Sequence, residues 1–315
     1  VLVGIAWEAL AAFAMIATAL VFLPRYLASG FTTTPAFLEK RFDKTTRSMV
    51  SGLFLFGYVT VLLPVVLYTG SLALKGMFDL EYPIWVIAGT IGVLGSSYAI
   101  FGGLKSVAVS DTLNGVGLLI GGLAIPALAL AKLGGGSFSE GISILFNSKP
   151  EYLAVLTKTN IDNKVVSVPW PTLLTGMMFI QVFYWSTNQV IVQRAMAAKS
   201  LAEGQKGVLF ASGMKLIGPI MLCLPGIIAL HMSDILSITK QDQVYGAVVR
   251  HVLPDWSIGL FAAVLLGSIL SSFNSALNSA STLFSLQFYK GYINTSATDD
   301  CLLYTSPSPR DSIRS

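Results

Sequence analysis

Long uncharged runs separated by short polar stretches set the pattern of this 315-residue chain. They lie at about 1–24, 48–74, 82–104, 111–131, 165–193, 207–233 and 256–289, with Glu8 interrupting the first and Lys215 the sixth. A helix rising 1.5 Å per residue needs roughly 20 apolar residues to cross a hydrocarbon core of about 30 Å. The pattern therefore predicts seven transmembrane helices. The last run exceeds a perpendicular crossing, which predicts tilt or an overhang into one interface.

Composition excludes an ordinary soluble domain: 54% of residues are hydrophobic and 11% charged, and the mean hydropathy is +0.71. The expected class is an all-α polytopic membrane protein, multi-pass in a bacterial inner (plasma) membrane. Basic residues collect in short cytoplasmic loops. Arg25, Lys40, Arg41, Lys44, Arg47, Lys105, Arg194, Lys199, Lys206 and Lys290 fall on one side, against few acids. The loops at 75–81, 132–164 and 234–255 mix Lys75, Lys149, Lys158 and Arg250 with comparable numbers of Asp and Glu. The first helix is thus expected to run inward. Loop topology accounts for the net charge of +4, so no nucleic-acid partner is expected, nor an obligate protein partner. Cys223 and Cys301 have neither disulfide-framework nor metal spacing. Neither a His-Glu-x-x-His helix nor a Gly-x-Ser-x-Gly elbow is present, so no enzyme is expected.

The chain opens on Val1 inside an apolar run and closes on Cys301-Leu-Leu-Tyr-Thr-Ser-Pro-Ser-Pro-Arg310, a Ser/Pro/Arg string unlike the helices before it. This reads as a transmembrane domain over 1–293, truncated at its start, and a disordered or non-native tail over 294–315.

Candidate chemistry lies in the polar residues inside the apolar runs, because a charge at mid-bilayer costs about 2.5–3.5 kcal/mol on insertion scales. Glu8, Asp111 and Lys215 are such charges. Lys215 lies too deep in its run for easy snorkelling and requires a polar cavity or a carboxylate; an ion pair with Glu8 or Asp111 is the structural alternative. Gln181, Tyr184, Trp185 and Asn188 fall at i, i+3, i+4 and i+7 and predict one helical stripe. Amides and flat rings on one face suit a polyhydroxylated ligand; interhelical hydrogen bonding with an interfacial aromatic belt explains them equally well. Ser268, Ser271, Ser272, Ser275 and Ser279 form a hydroxyl stripe on the last helix, offering hard neutral oxygens for sodium or small side chains for close packing. Gly115, Gly117, Gly121 and Gly122 are expected to serve packing alone.

Several blocks in order carry a family resemblance: Pro35-Ala-Phe-Leu-Glu-Lys-Arg41-Phe, Phe101-Gly-Gly-Leu-Lys105 followed by Asp111, Tyr184-Trp-Ser-Thr-Asn-Gln-Val-Ile-Val-Gln-Arg194-Ala-Met-Ala-Ala-Lys199-Ser, Lys215-Leu-Ile-Gly-Pro219, and Ser271-Ser-Phe-Asn-Ser-Ala-Leu-Asn-Ser279. Over residues 1 to about 293 the chain resembles the sodium/solute symporter family, and within it the sodium/sugar branch. The resemblance implies part of a LeuT-type inverted-repeat transporter core, helices two to eight, with sodium as coupling ion and a sugar or cyclic polyol as solute. It implies that Glu8, Gln181 and Lys215 match sugar-binding positions and Tyr184 an inner gate. It further implies that Ser268 (by its carbonyl), Ser271 and Ser272 match a sodium site, and Asp111 an acid on the ion's release route. Three departures alter the pocket: Gln181 replaces Asn, Trp7 replaces Tyr, and Ala11 replaces a hydroxyl residue. The implied mechanism is alternating access. The rivals are a symporter for an amino acid, carboxylate or vitamin, and a symporter-like sensory domain of a membrane kinase.

Overall fold

Helices make up nearly all of the computed structural model, which describes residues 3–31, 33–148, 153, 170–232 and 244–297. The tail from 298, with Cys301, lies outside the described residues. So do most of the outer loops at 149–169 and 233–243, with Lys149 and Lys158, and the start of the run expected from 165. Among the described residues there is no strand.

In chain order the helices are α1 (Gly4–Ser29), α2 (Thr34–Arg41), α3 (Lys44–Phe78), α4 (Ile84–Leu133), α5 (Phe138–Ser148), α6 (170–187), α7 (Gln189–Met196), α8 (Leu201–Lys215), α9 (Gly218–His231), α10 (Val244–Val252) and α11 (Asp255–Ile293). Proline shapes two of them. Pro24 and Pro64 cannot donate to the carbonyls of Leu20 and Thr60, and the turns holding those carbonyls widen to π-helix at Thr18–Phe22 in α1 and Tyr58–Leu62 in α3.

Five stretches are long and apolar enough to cross a bilayer: α1, α3, Val109–Leu133 of α4, Leu201–His231 (α8 with α9) and α11; Ile84–Ser97 is apolar but shorter. The expected runs at 82–104 and 111–131 join in one helical assignment, Ile84–Leu133, since nothing between them is proline. A straight helix of that length would measure about 75 Å, and α4 is not straight. Gly95 packs on Leu270 and Phe273 while Asn114 packs on Gly267, although a straight helix would hold Gly95 and Asn114 about 28 Å apart. The direction also reverses. Gly121, Gly117 and Asn114 meet Phe261, Val264 and Gly267 in turn, so the second limb runs antiparallel to α11. The first limb starts beside the end of α3 and packs Gly92 on Leu67, antiparallel to α3, which is itself antiparallel to α11 through Gly70 on Ile269. The two limbs thus cross in opposite senses, as two separate runs require.

The fifth run differs more. Its helix ends at Thr187, because Asn188 is extended (φ −67°, ψ 122°) and caps α7 by accepting from the Val190 N–H at 3.0 Å. The sixth is cut after Lys215: Pro219 has no N–H for the Lys215 carbonyl, and Leu216 and Ile217 form tight turns to Gly213 and Met214 instead.

Loop charges separate to two ends. At one, Arg47 pairs with Glu39 at 2.6 Å and binds Gln287 Oε1, and Ser48 meets Tyr292 at 2.7 Å. At the other, Arg250 lies 3.5 Å from Asp79, Lys132 donates to the His251 carbonyl, and a cluster around the fully buried Ile125, Ile228, Val248 and Val249 holds α4, α9 and α10 together. Close approach explains Gly117, Gly121 and Gly122, where a Cβ would meet Val264, Phe261 and Met221 at 2.8 Å or less; Gly115 has no such neighbour.

Candidate solute and ion site

Three helices converge where α8 breaks. Ser212 Oγ donates to the Ala12 carbonyl at 2.9 Å, tying α8 to α1, and Ala11 beside it is 1% exposed, small enough for the contact. On the other side of α1, Thr18 and Ser186 hydroxyls meet at 2.9 Å and the Tyr26 hydroxyl donates to the Ser186 carbonyl at 2.9 Å, tying α1 to α6. This frame delivers Glu8, Gln181, Trp185 and Lys215 to one place.

Lys215 Nζ lies 2.7 Å from Glu8 Oε2 and 4.6 Å from the centroid of the Trp185 ring. Both charged side chains are about a quarter exposed, so the pair is largely desolvated and each charge is compensated. Trp185 is held in turn: its indole N–H donates to Gln181 Oε1 at 2.9 Å. Gln181 is 2% exposed and its Nε2 donates to the Trp7 carbonyl at 3.4 Å. Gln181 thus crosses to the α1 backbone rather than to the side chain of Trp7 or Ala11.

Beside this cluster a cavity of about 640 Å³ is lined by Tyr184, Trp185, Arg194, Ser271, Ser272 and Ser275, among others. Its size is within the range of small-molecule pockets. Tyr184 is 40% exposed, its ring edge-on to Trp185 at 5.3 Å. Hydrogen bonding divides the serine stripe. Ser275 donates to the Ser271 carbonyl at 2.6 Å and receives Arg194, and Ser279 donates to Gln193 Oε1 at 3.2 Å. The hydroxyls of Ser271 and Ser272 have no partner among the described residues, and both line the cavity. Ser268 is half-buried one turn earlier and is not part of that lining. Among the described residues no group of three His, Cys, Asp or Glu side chains is placed to hold a metal.

Two expectations need correcting in geometry. Asn188 does not continue the Gln181–Tyr184–Trp185 stripe: it is extended, 7% exposed, and its Oδ1 is taken by the Val190 N–H and by the Tyr58 hydroxyl at 2.7 Å. Asp111 is not the partner of Lys215, the alternative to Glu8, because Arg194 holds it at 2.8 Å while also reaching Ser275. Sequence reasoning missed Tyr58, which donates to Asn188 Oδ1, and Asn274, fully buried with neither amide atom paired among the described residues. The only sequence signal for Asn274 is an amide inside an apolar helix.

A profile of the sodium:solute symporter family matches residues 1–306. The chain belongs to the sodium:solute symporter family. It is 44% identical over 299 residues to an uncharacterized symporter, YidK, of Escherichia coli K12, covering 92% of this chain and 51% of that protein. It is 30% identical over 314 residues to a sodium/glucose cotransporter of Vibrio parahaemolyticus (94% and 57%) and 29% identical over 317 residues to sodium/myo-inositol cotransporter 2 of Mus musculus (90% and 46%). The chain thus spans about half the length of these relatives. A solved Na⁺-coupled sialic acid symporter in a substrate-bound outward-open state superimposes with a TM-score of 0.80 at 20% identity, covering 99% of this chain and 63% of that one. This fixes the fold as a LeuT-type transporter core, in part.

Proposed function

We propose that this family member carries out sodium-coupled symport of a sugar or cyclic polyol by alternating access, in a bacterial inner membrane. The observation that carries the reading is the nearness of two kinds of group: unpartnered hydroxyls at Ser271 and Ser272 in the cavity lining, and the neutralised Glu8–Lys215 pair, outside that lining but packed on Trp185, which is part of it. A charge-balanced pair suits a neutral polyhydroxylated solute: Glu8 accepts from hydroxyls, the remaining ammonium N–H donors of Lys215 donate to them, and no net charge is left to attract an anion or cation. The relatives named for sodium/glucose and sodium/myo-inositol transport support the same class, and two of the relatives are bacterial.

In this reading Glu8, Gln181 and Lys215 bind the solute, Gln181 mainly by fixing Trp185, and Trp185 stacks on its C–H face. Tyr184 stands between solute and cavity as the inner gate. Sodium, the coupling ion, takes the Ser271 and Ser272 hydroxyls and the Ser268 carbonyl, and leaves along the cavity past Asp111 and Arg194. Asn188, with its amide oxygen engaged, holds the α6–α7 break and does not bind solute. One charge crossing 100 mV supplies about 2.3 kcal/mol, enough for roughly fiftyfold accumulation before any sodium gradient is counted.

Binding of labelled glucose, galactose and myo-inositol to the purified protein tests this. Sodium-dependent binding, lost in Glu8→Gln and Lys215→Met but kept in Lys199→Gln, is expected; binding indifferent to sodium or to both site variants would refute it.

A further inference from the structure

A second cavity, of about 420 Å³, lies at the basic end and is lined by Arg25, Ala28, Ser29, Phe37, Lys40 and Arg41. Three of its six lining residues are cations and none is acidic. Elsewhere at this end three cations have carboxylate partners, Arg47 with Glu39, Arg194 with Asp111 and Lys206 with Glu203, whereas Lys44 and Lys199 have none among the described residues but are not part of this cavity's lining. Arg25, Lys40 and Arg41 have none among the described residues; Arg25 donates one N–H to the Val21 carbonyl. The nearby acids are committed, Glu39 to Arg47 and Asp43 to the Thr46 N–H at 2.7 Å.

Lys40 and Arg41 sit in the last turn of α2 and Arg25 just before the last turn of α1, and each helix end contributes about half a negative charge. Three charges against two halves leave roughly two positive charges facing the cavity. The cradle is held in place. Phe37 packs edge-on against Tyr26 at 5.0 Å, and α2 is anchored by Thr34 N–H on Gln189 Oε1 at 2.9 Å and by Gln287 Nε2 on the Thr33 hydroxyl at 3.0 Å. Arg25 lies one turn inside the end of a stretch long and apolar enough to cross a membrane, and Phe42, next to Arg41, is 66% exposed.

We propose that this cavity binds the headgroup of an anionic glycerophospholipid, with Arg25, Lys40 and Arg41 on the phosphate oxygens and Phe42 against the acyl chains. A basic pocket at the end of a span, flanked by an exposed aromatic ring, fits a lipid phosphate better than a soluble anion, which has no use for the ring.

Native mass spectrometry of the purified protein in neutral detergent, titrated with phosphatidylglycerol or phosphatidylcholine, tests the site. One phosphatidylglycerol adduct is expected at concentrations where phosphatidylcholine gives none. Each of Arg25→Gln, Lys40→Gln and Arg41→Gln should weaken it about fivefold, and all three about a hundredfold. Arg25→Lys with Arg41→Lys should restore it, and Lys44→Gln with Lys199→Gln should leave it unchanged. Millimolar inorganic phosphate should not displace the lipid. Equal binding of both lipids, full binding by the triple variant, equal loss in the Lys44/Lys199 control, or displacement by phosphate would each overturn the proposal. The single variants decide the matter should the triple variant fail to fold.

Discussion

Lys215 and Glu8 meet at 2.7 Å across two helices that Ser212 and Gln205 also join, each donating to a backbone carbonyl of α1. Each would be an uncompensated charge in the membrane without the other. Lys215→Met alone should destabilise the protein by about 2–3 kcal/mol, and adding Glu8→Gln should recover most of that loss. Thermal unfolding in detergent measures both; additive losses would show that the pair is not coupled.

The split within the serine stripe predicts two phenotypes. Ser272→Ala should raise the sodium concentration needed for solute binding by severalfold and leave thermal stability nearly unchanged. Ser279→Ala removes a buried donor from Gln193 and should cost about 1 kcal/mol of stability with the sodium requirement unaltered. Sodium titrations of solute binding, set beside melting curves, separate them; the same pattern in both variants would contradict the division.

Arg194 links α7 to Asp111 of α4 and to Ser275 of α11, closing one wall of the cavity. Asp111→Asn should leave equilibrium solute affinity within about twofold while slowing sodium-driven turnover, and Arg194→Gln on top of it should add little. Initial uptake rates in proteoliposomes report this. A large loss of solute affinity in Asp111→Asn would place the residue in the binding site instead.

Asn274 is buried with neither amide atom paired among the described residues, at a cost of about 1–3 kcal/mol for an unpaired group. Asn274→Leu, close in volume, should therefore raise the melting temperature. A lower one would show that the amide finds partners in another conformation of the transporter.

Five of the seven expected spans were legible because hydropathy over roughly 20 residues depends on the bilayer alone, and the charges at Glu8, Asp111 and Lys215 because such charges are costly anywhere in it. Partner choice was not. Glu8 and Asp111 were both candidate partners for Lys215, and the packing of α8 on α1 gives it Glu8, while Arg194 of α7 takes Asp111. Helical periodicity carried the stripe from Gln181 to Trp185 correctly and then overran it, since a single capping Asn in an apolar run looks the same as one more helical residue. The unpartnered state of Ser271 and Ser272, against the engaged Ser275 and Ser279, depends on neighbours from α7 that no spacing within α11 reveals.

The central claim is most directly tested by sodium-driven uptake into proteoliposomes across labelled neutral sugars, cyclic polyols, amino acids and carboxylates. Uptake of a neutral sugar or polyol that needs an inward sodium gradient, is stimulated by an inside-negative potential, and is lost in Glu8→Gln is the predicted result. Uptake confined to amino acids or carboxylates, or of any solute without sodium, would contradict it.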